Sequence, residues 1–130
     1  MRRRKRAPQT PQTVAMELCD LCGAVVPKDR TVSEYVPDSS SAQPAGDWFD
    51  GLRLITACTD AHLEELREHY RRRPFVDEEL AAAKIGRALS TSLPGLTMDQ
   101  LGCRTGLDEP DIRRAIAWHN AQLRERHVGS

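Results

Sequence analysis

The sequence predicts an α+β chain built in two parts, a small metal-stapled unit of hairpin and helix followed by a unit of three helices. Three observations carry this. Cys19-Asp20-Leu21-Cys22-Gly23 is matched far along the chain by Cys58 and His62, so four metal-binding side chains fall into two local pairs. Runs rich in β-favouring residues are confined to the stretch from Ala24 to Ile55. From residue 75 onward there are no such runs, and the apolar residues recur at helical spacing instead.

Composition explains why a staple is needed. Of 130 residues only 5% are aromatic and 29% are charged, so neither part can bury much apolar surface. The net charge of zero hides a partition. Arg2, Arg3, Arg4, Lys5 and Arg6 carry five positive charges with no acid among them, whereas the remainder carries an excess of five acids over bases. A basic tail of this kind holds nucleic acid or an acidic protein without reading sequence, or simply solubilises the terminus. No apolar run follows the basic one, which points to a soluble, cytoplasmic chain with reduced thiols and makes metal binding the first reading of Cys-x-x-Cys. No stretch approaches membrane-spanning length, so no membrane partner is expected.

Taken in order, residues 1–16 contain the basic run and two prolines without apolar periodicity, and are expected to be a disordered tail. Residues 17–74 form the first folded part. Gly23 suits the positive φ of the knuckle turn. Ala24-Val25-Val26 and Thr31 to Val36 are expected to pair as a hairpin across Pro27-Lys28-Asp29-Arg30. Pro37 to Gly46 offers nothing to bury and reads as a mobile loop, after which Trp48 and Phe49 should cap a small core beside the metal. Leu52 to Ile55 is a further strand that delivers Cys58 to a helix capped by Thr59 or Asp60, with Leu63, Leu66 and Tyr70 on its inner side.

Residues 75–130 form the second part. A helix from about Asp77 to Ser90 shows its apolar stripe at Leu80, Ala83, Ile85, Ala88 and Leu89. A second opens at Thr97, where Gln100 completes a capping box, and stops at Gly106. A third starts around Asp108-Glu109-Pro110-Asp111, where acids and proline both suit a helix N-terminus.

The ligand set expected for zinc is Cys19, Cys22, Cys58 and His62. Zinc takes four such donors, and a pair on a turn plus a pair one helical turn apart brings them together at low entropic cost. Cys103 and His69 compete for the fourth place, Cys103 from the other part of the chain and His69 about two helical turns beyond His62.

A Cys-x-x-Cys-Gly knuckle, a hairpin and a helix carrying the last two ligands in its first turn resemble a treble-clef zinc finger, over residues 19 to about 72. Ile55-Thr56-Ala57-Cys58 before a histidine-bearing helix is also similar to the final motif of the His-Asn-His nucleases within that fold. The resemblance implies for those enzymes a general-base histidine on the hairpin and further polar metal ligands, yet residues 23–57 contain neither His nor Asn. A degenerate nuclease is therefore the weakest reading, and the zinc is expected to be structural.

In the second part, Leu101-Gly102-Cys103-Arg104-Thr105-Gly106-Leu107 followed by Ile112 and Ile116 is similar to helix-turn-helix proteins. Gly102 matches the small residue of close helix packing and Gly106 the turn glycine, while Ile112 and Ile116 match the inward positions. The resemblance implies DNA as partner, met by Arg113, Arg114, Gln122 and Arg124, with Thr105 or Thr97 on phosphate and Arg2 to Arg6 adding unspecific affinity. Asp108, Glu109 and Asp111 would repel phosphate from the same helix start. Trp118 and His119 are expected to be packed inward. The expected role is a DNA-binding transcriptional regulator without enzymatic activity. The alternative is a protein-interaction adaptor of the transcription machinery with an acidic or apolar partner. The oligomeric state is left open.

Overall fold

The computed structural model describes residues 14–44 and 46–129, so the basic run Arg2 to Arg6 lies outside the described residues. The chain is a mixed α+β protein. Its elements are β1 (Met16–Leu18), β2 (Val25–Pro27), β3 (Val32–Pro37), β4 (Leu52–Ala57), α1 (Asp60–Arg72), α2 (Asp77–Ser90), α3 (Met98–Thr105) and α4 (Glu109–Gly129). Two two-stranded sheets form, β1 with β2 and β3 with β4.

This pairing corrects the expected hairpin. Val25 and Val26 do not pair with the run after Thr31 but run antiparallel to β1, in the register Met16 to Pro27 and Leu18 to Val25. The reason lies in the knuckle. Cys19 N–H donates to Ala24 O at 2.8 Å and Gly23 N–H to Cys19 O at 2.9 Å, so the turn that presents the thiols closes its own ladder. Gly23 takes φ 79° there, a left-handed conformation that other residues adopt only at a cost. Lys28–Arg30 then forms a short 3-10 turn between the sheets.

The chain divides into two compact units. One contains the chain up to Tyr35 together with Leu54–His69, and the other contains Val36–Arg53 together with Tyr70 onward. Among the described residues of the first, Cys19, Ile55, Ala57, Leu63 and Leu66 are the buried apolar ones, a core too small to hold a fold alone. Arg67 of α1 adds a two-pronged contact to Glu34 of β3, both prongs at 2.8 Å, and also pairs with Glu64. The hydrogen bonds that Arg67 donates to Glu34 raise its pKa further above its ordinary range.

The second unit is centred on Ala81, Ile85, Ala88, Leu101, Ile112 and Ala115, with Leu96, Met98 and Leu107 against them. Helix α3 begins as expected. Thr97 accepts from Gln100 N–H while the Gln100 side chain accepts from Thr97 N–H, which completes the capping box. Gly106 ends it at φ 74°, and a Cβ on Gly102 would sit 3.2 Å from Leu107 O, so this turn needs small residues at both positions. On α4 the inward positions are Ile112 and Ala115. Ile116 is exposed, Trp118 half-buried and His119 exposed, which corrects the inward placement of Ile116 and His119.

The loop after β3 is the largest departure from expectation. Asp38, Ser39 and Ser41 are buried, while Trp48 is 85% exposed and caps nothing. The loop buries polar groups because each finds a partner. Ser39 donates to Glu79 at 2.6 Å and accepts from Val76 N–H at 3.0 Å, and Ser41 donates to Leu52 O at 2.7 Å. Asp38 accepts from Arg53 at 2.5 Å, from Arg73 at 2.7 Å, and from the backbone and hydroxyl of Ser40.

Burial by itself would raise the Asp38 carboxyl, but the Arg53 guanidinium and the Ser40 donors outweigh it and hold the group below the usual carboxylate range. A carboxyl depressed in the folded state stabilises above its unfolded pKa of about 3.9, and that contribution disappears as pH falls through the lower folded value. Both arginines remain about a third exposed or more, so solvent screening keeps the gain to about 1–2 kcal/mol. Asp38→Asn should remove that much at neutral pH and flatten the loss of stability below about pH 4, as read by urea titrations across the acid range. An unchanged acid limb in the variant would assign that limb to other groups.

Candidate metal centre

Four donors converge in the first unit. Cys19 Sγ, Cys22 Sγ, Cys58 Sγ and a ring nitrogen of His62 all lie within 4.8 Å of one another. Three of the separations are 3.8 Å for Cys19 to His62 Nδ1, 3.7 Å for Cys22 to Cys58, and 3.4 Å for Cys58 to His62 Nδ1. A tetrahedral ion with sulfur at about 2.3 Å and nitrogen at about 2.0 Å requires S–S edges of about 3.8 Å and S–N edges of about 3.6 Å. These three separations match edges of that polyhedron to within about 0.2 Å, and the cluster can hold a metal ion.

Local bonding explains how the sequence reaches this geometry. Asp20, inside the knuckle, grips Thr56 at both ends: its N–H donates to Thr56 O at 2.8 Å and its carboxylate accepts from Thr56 N–H at 2.9 Å. That fixes the knuckle to β4 two residues before Cys58. Thr59 caps α1, its hydroxyl accepting from His62 N–H at 3.1 Å and its carbonyl from Leu63 N–H at 3.0 Å. The cap sets the first turn so that Cys58 and His62 face the same point. Thr59 was legible as a cap, whereas nothing in the sequence marks Asp20 as a clamp.

The electrostatics favour a cation. Burial would push the Cys19 thiol up, but the N–H groups of Cys22 and Cys58, the His62 side chain and the Leu21 N–H together bring it down to about 5. Cys58 is pushed up to about 11, first by burial and then by the neighbouring sulfurs of Cys22 and Cys19. The cluster therefore stabilises one thiolate readily and opposes the next. A divalent cation among the sulfurs removes that opposition.

The competing ligands stand apart from the cluster. His69 is exposed near the end of α1, and Cys103 is exposed on α3. All four cysteines are free thiols.

The residues expected to meet DNA are spread over α4 and its approach. Arg113 is exposed and donates to Glu109 at 3.0 Å, and Arg114 pairs with Asp111. Arg124 is exposed and Gln122 half-buried. At 3.6 residues per turn Arg113 and Arg124 recur on one face of α4, while Gln122 lies half a turn round from Arg113. Thr105 spends its hydroxyl locally, donating to Leu101 O at 2.6 Å and accepting from Leu107 N–H at 3.2 Å. Thr97 is the α3 cap. Among the described residues no helix is long and apolar enough to cross a membrane.

No protein-family model, curated protein or solved structure matches this chain.

Proposed function

We propose that the chain is a non-enzymatic DNA-binding regulator, a treble-clef-like zinc finger joined to a helix-turn-helix module. The supporting observation for the second module is the α3–α4 turn, with a capping box at Thr97, a close approach at Gly102 and a left-handed Gly106, followed by a 21-residue helix bearing Arg113 and Arg124 on one exposed face. For the first module, three thiolates and an imidazole suit zinc, and four protein donors complete its tetrahedron, which leaves no open position for substrate. The zinc is structural on this reading.

A second reading, a protein-interaction adaptor, has its own supporting observation. Met16, Leu18, Leu21 and Val25 are exposed apolar side chains on the knuckle hairpin, with Leu18 directly opposite Val25. The acids that pair with Arg113 and Arg114 also weaken their appeal to phosphate.

Fluorescence anisotropy with random-sequence and selected duplexes at two salt concentrations separates the two readings. Deleting residues 1–12 should flatten the salt dependence and leave the preferred site unchanged, because phosphate contacts carry little sequence information. Replacing Arg113 and Arg114 by alanine should cost about 1–3 kcal/mol of discrimination for each base edge that the variant no longer reads. If the chain lacking residues 1–12 has no affinity for any duplex at low salt, the regulator reading fails. Loss of a protein partner on replacing Leu18 and Val25 by serine would then establish the adaptor.

A further inference from the structure

We propose that the outer edge of the metal cluster, Cys22 with Cys58, is an oxidation site at which hydrogen peroxide joins the two sulfurs in a disulfide and opens the centre. This rests on the metal reading above. The four donors are not equally accessible. Cys22 is exposed and Cys58 half-buried, while Cys19 is 1% exposed. Cys22 and Cys58 lie 3.7 Å apart, so the two sulfurs that solvent reaches are also neighbours. A disulfide of about 2.0 Å requires them to close by less than 2 Å, roughly.

The surroundings favour that movement at Cys22 over movement at Cys19. Cys19 is held by its N–H bond to Ala24 O and by its carbonyl, which accepts from Gly23 N–H, and the next residue, Asp20, is fastened to Thr56. Cys22 sits exposed at the tip of the turn, next to Gly23. The more accessible of the two sulfurs on the knuckle is thus that of Cys22.

The chemistry balances with the oxidant named. The Cys22 thiolate attacks one peroxide oxygen, the O–O bond breaks, hydroxide leaves, and Cys22 becomes a sulfenic acid. The Cys58 thiolate then attacks the Cys22 sulfur, forms the S–S bond and displaces a second hydroxide. Two thiolates lose two electrons and one peroxide gains them. Only Cys19 and His62 remain as donors, too few to retain zinc. The new bond ties the knuckle to the start of α1, the same two segments that the ion joined, so the oxidised form keeps one of its cross-links.

The test uses the full chain carrying Cys103→Ser, which removes the one cysteine outside the cluster. Zinc content is measured first by elemental analysis. Hydrogen peroxide is then added in steps, with released zinc followed by a chromogenic chelator and the linkage read by peptide mass spectrometry without reduction. The expected result is release of about one equivalent of zinc in step with a Cys22–Cys58 disulfide, reversed by a dithiol with zinc resupplied. A dominant disulfide containing Cys19, sulfinic or sulfonic acid without a disulfide, or zinc retained while the disulfide forms would each overturn the proposal. A chain without zinc before oxidation overturns the metal reading instead, and the Cys22–Cys58 linkage is then judged by the mass spectrum alone.

Discussion

Chelating the metal should unfold residues 14–35 and 54–69 and leave α2, α3 and α4 standing. Among the described residues the first unit has five buried apolar side chains, and one of them is the candidate ligand Cys19. Structural zinc bound by such donors supplies an apparent free energy of about 10–16 kcal/mol at neutral pH, larger than the whole stability of many domains. The three-helix unit has its own core around Ile112 and shares none of the four ligands. Hydrogen exchange after chelator treatment should therefore show lost protection in α1 and β4 and retained protection in the interior of α4. A metal-free chain with protected amides in both units would sink the reading.

Single substitutions should reproduce the contrast. Cys19→Ala removes a buried thiolate that several donors stabilise and should abolish retention of the ion, and His62→Ala should weaken it strongly. Cys103→Ser should leave zinc content unchanged, because Cys103 lies on α3 and outside the cluster.

The convergence of the four donors was legible because metal chemistry leaves a local mark: two cysteines on a glycine turn, and a cysteine and histidine one helical turn apart. The α3 cap and the Gly106 stop were legible for the same reason, since both are written within a few adjacent residues. The strand partner of Val25 was not. Adjacency favoured the run after Thr31, but the knuckle's own hydrogen bonds commit Val25 to Leu18, and only the closed turn reveals that. Hydrophobicity also misplaced Trp48. It sits in a loop whose anchors are charges, and the partners of those charges lie 15 to 37 positions away in sequence. Periodicity carries no signal for such pairs, so a polar stretch from Pro37 to Gly46 reads as free when it is held.

The strongest of those anchors is Arg87, and replacing it should cost the second unit about 3–5 kcal/mol, the range for breaking a buried ion pair from one side. One nitrogen of its guanidinium donates to Asp50 at 2.6 Å, to Gln43 O at 3.0 Å and to Gly46 O at 3.1 Å, and the other donates to Asp50 at 2.9 Å. The Arg87 side chain is 19% exposed and that of Asp50 8%, so water replaces little of what is lost. Arg87→Met keeps most of the aliphatic stem and isolates the charge effect, leaving Asp50 ionised and buried with two backbone carbonyls short of a donor. Adding Asp50→Leu to Arg87→Met should recover part of the loss, because the second change removes the stranded carboxylate. Urea unfolding of the four chains of that cycle measures the coupling. If Arg87→Met alone stays within about 0.5 kcal/mol of the parent, the range of a neutral surface change, the loop is held by its serine hydrogen bonds and not by its charges.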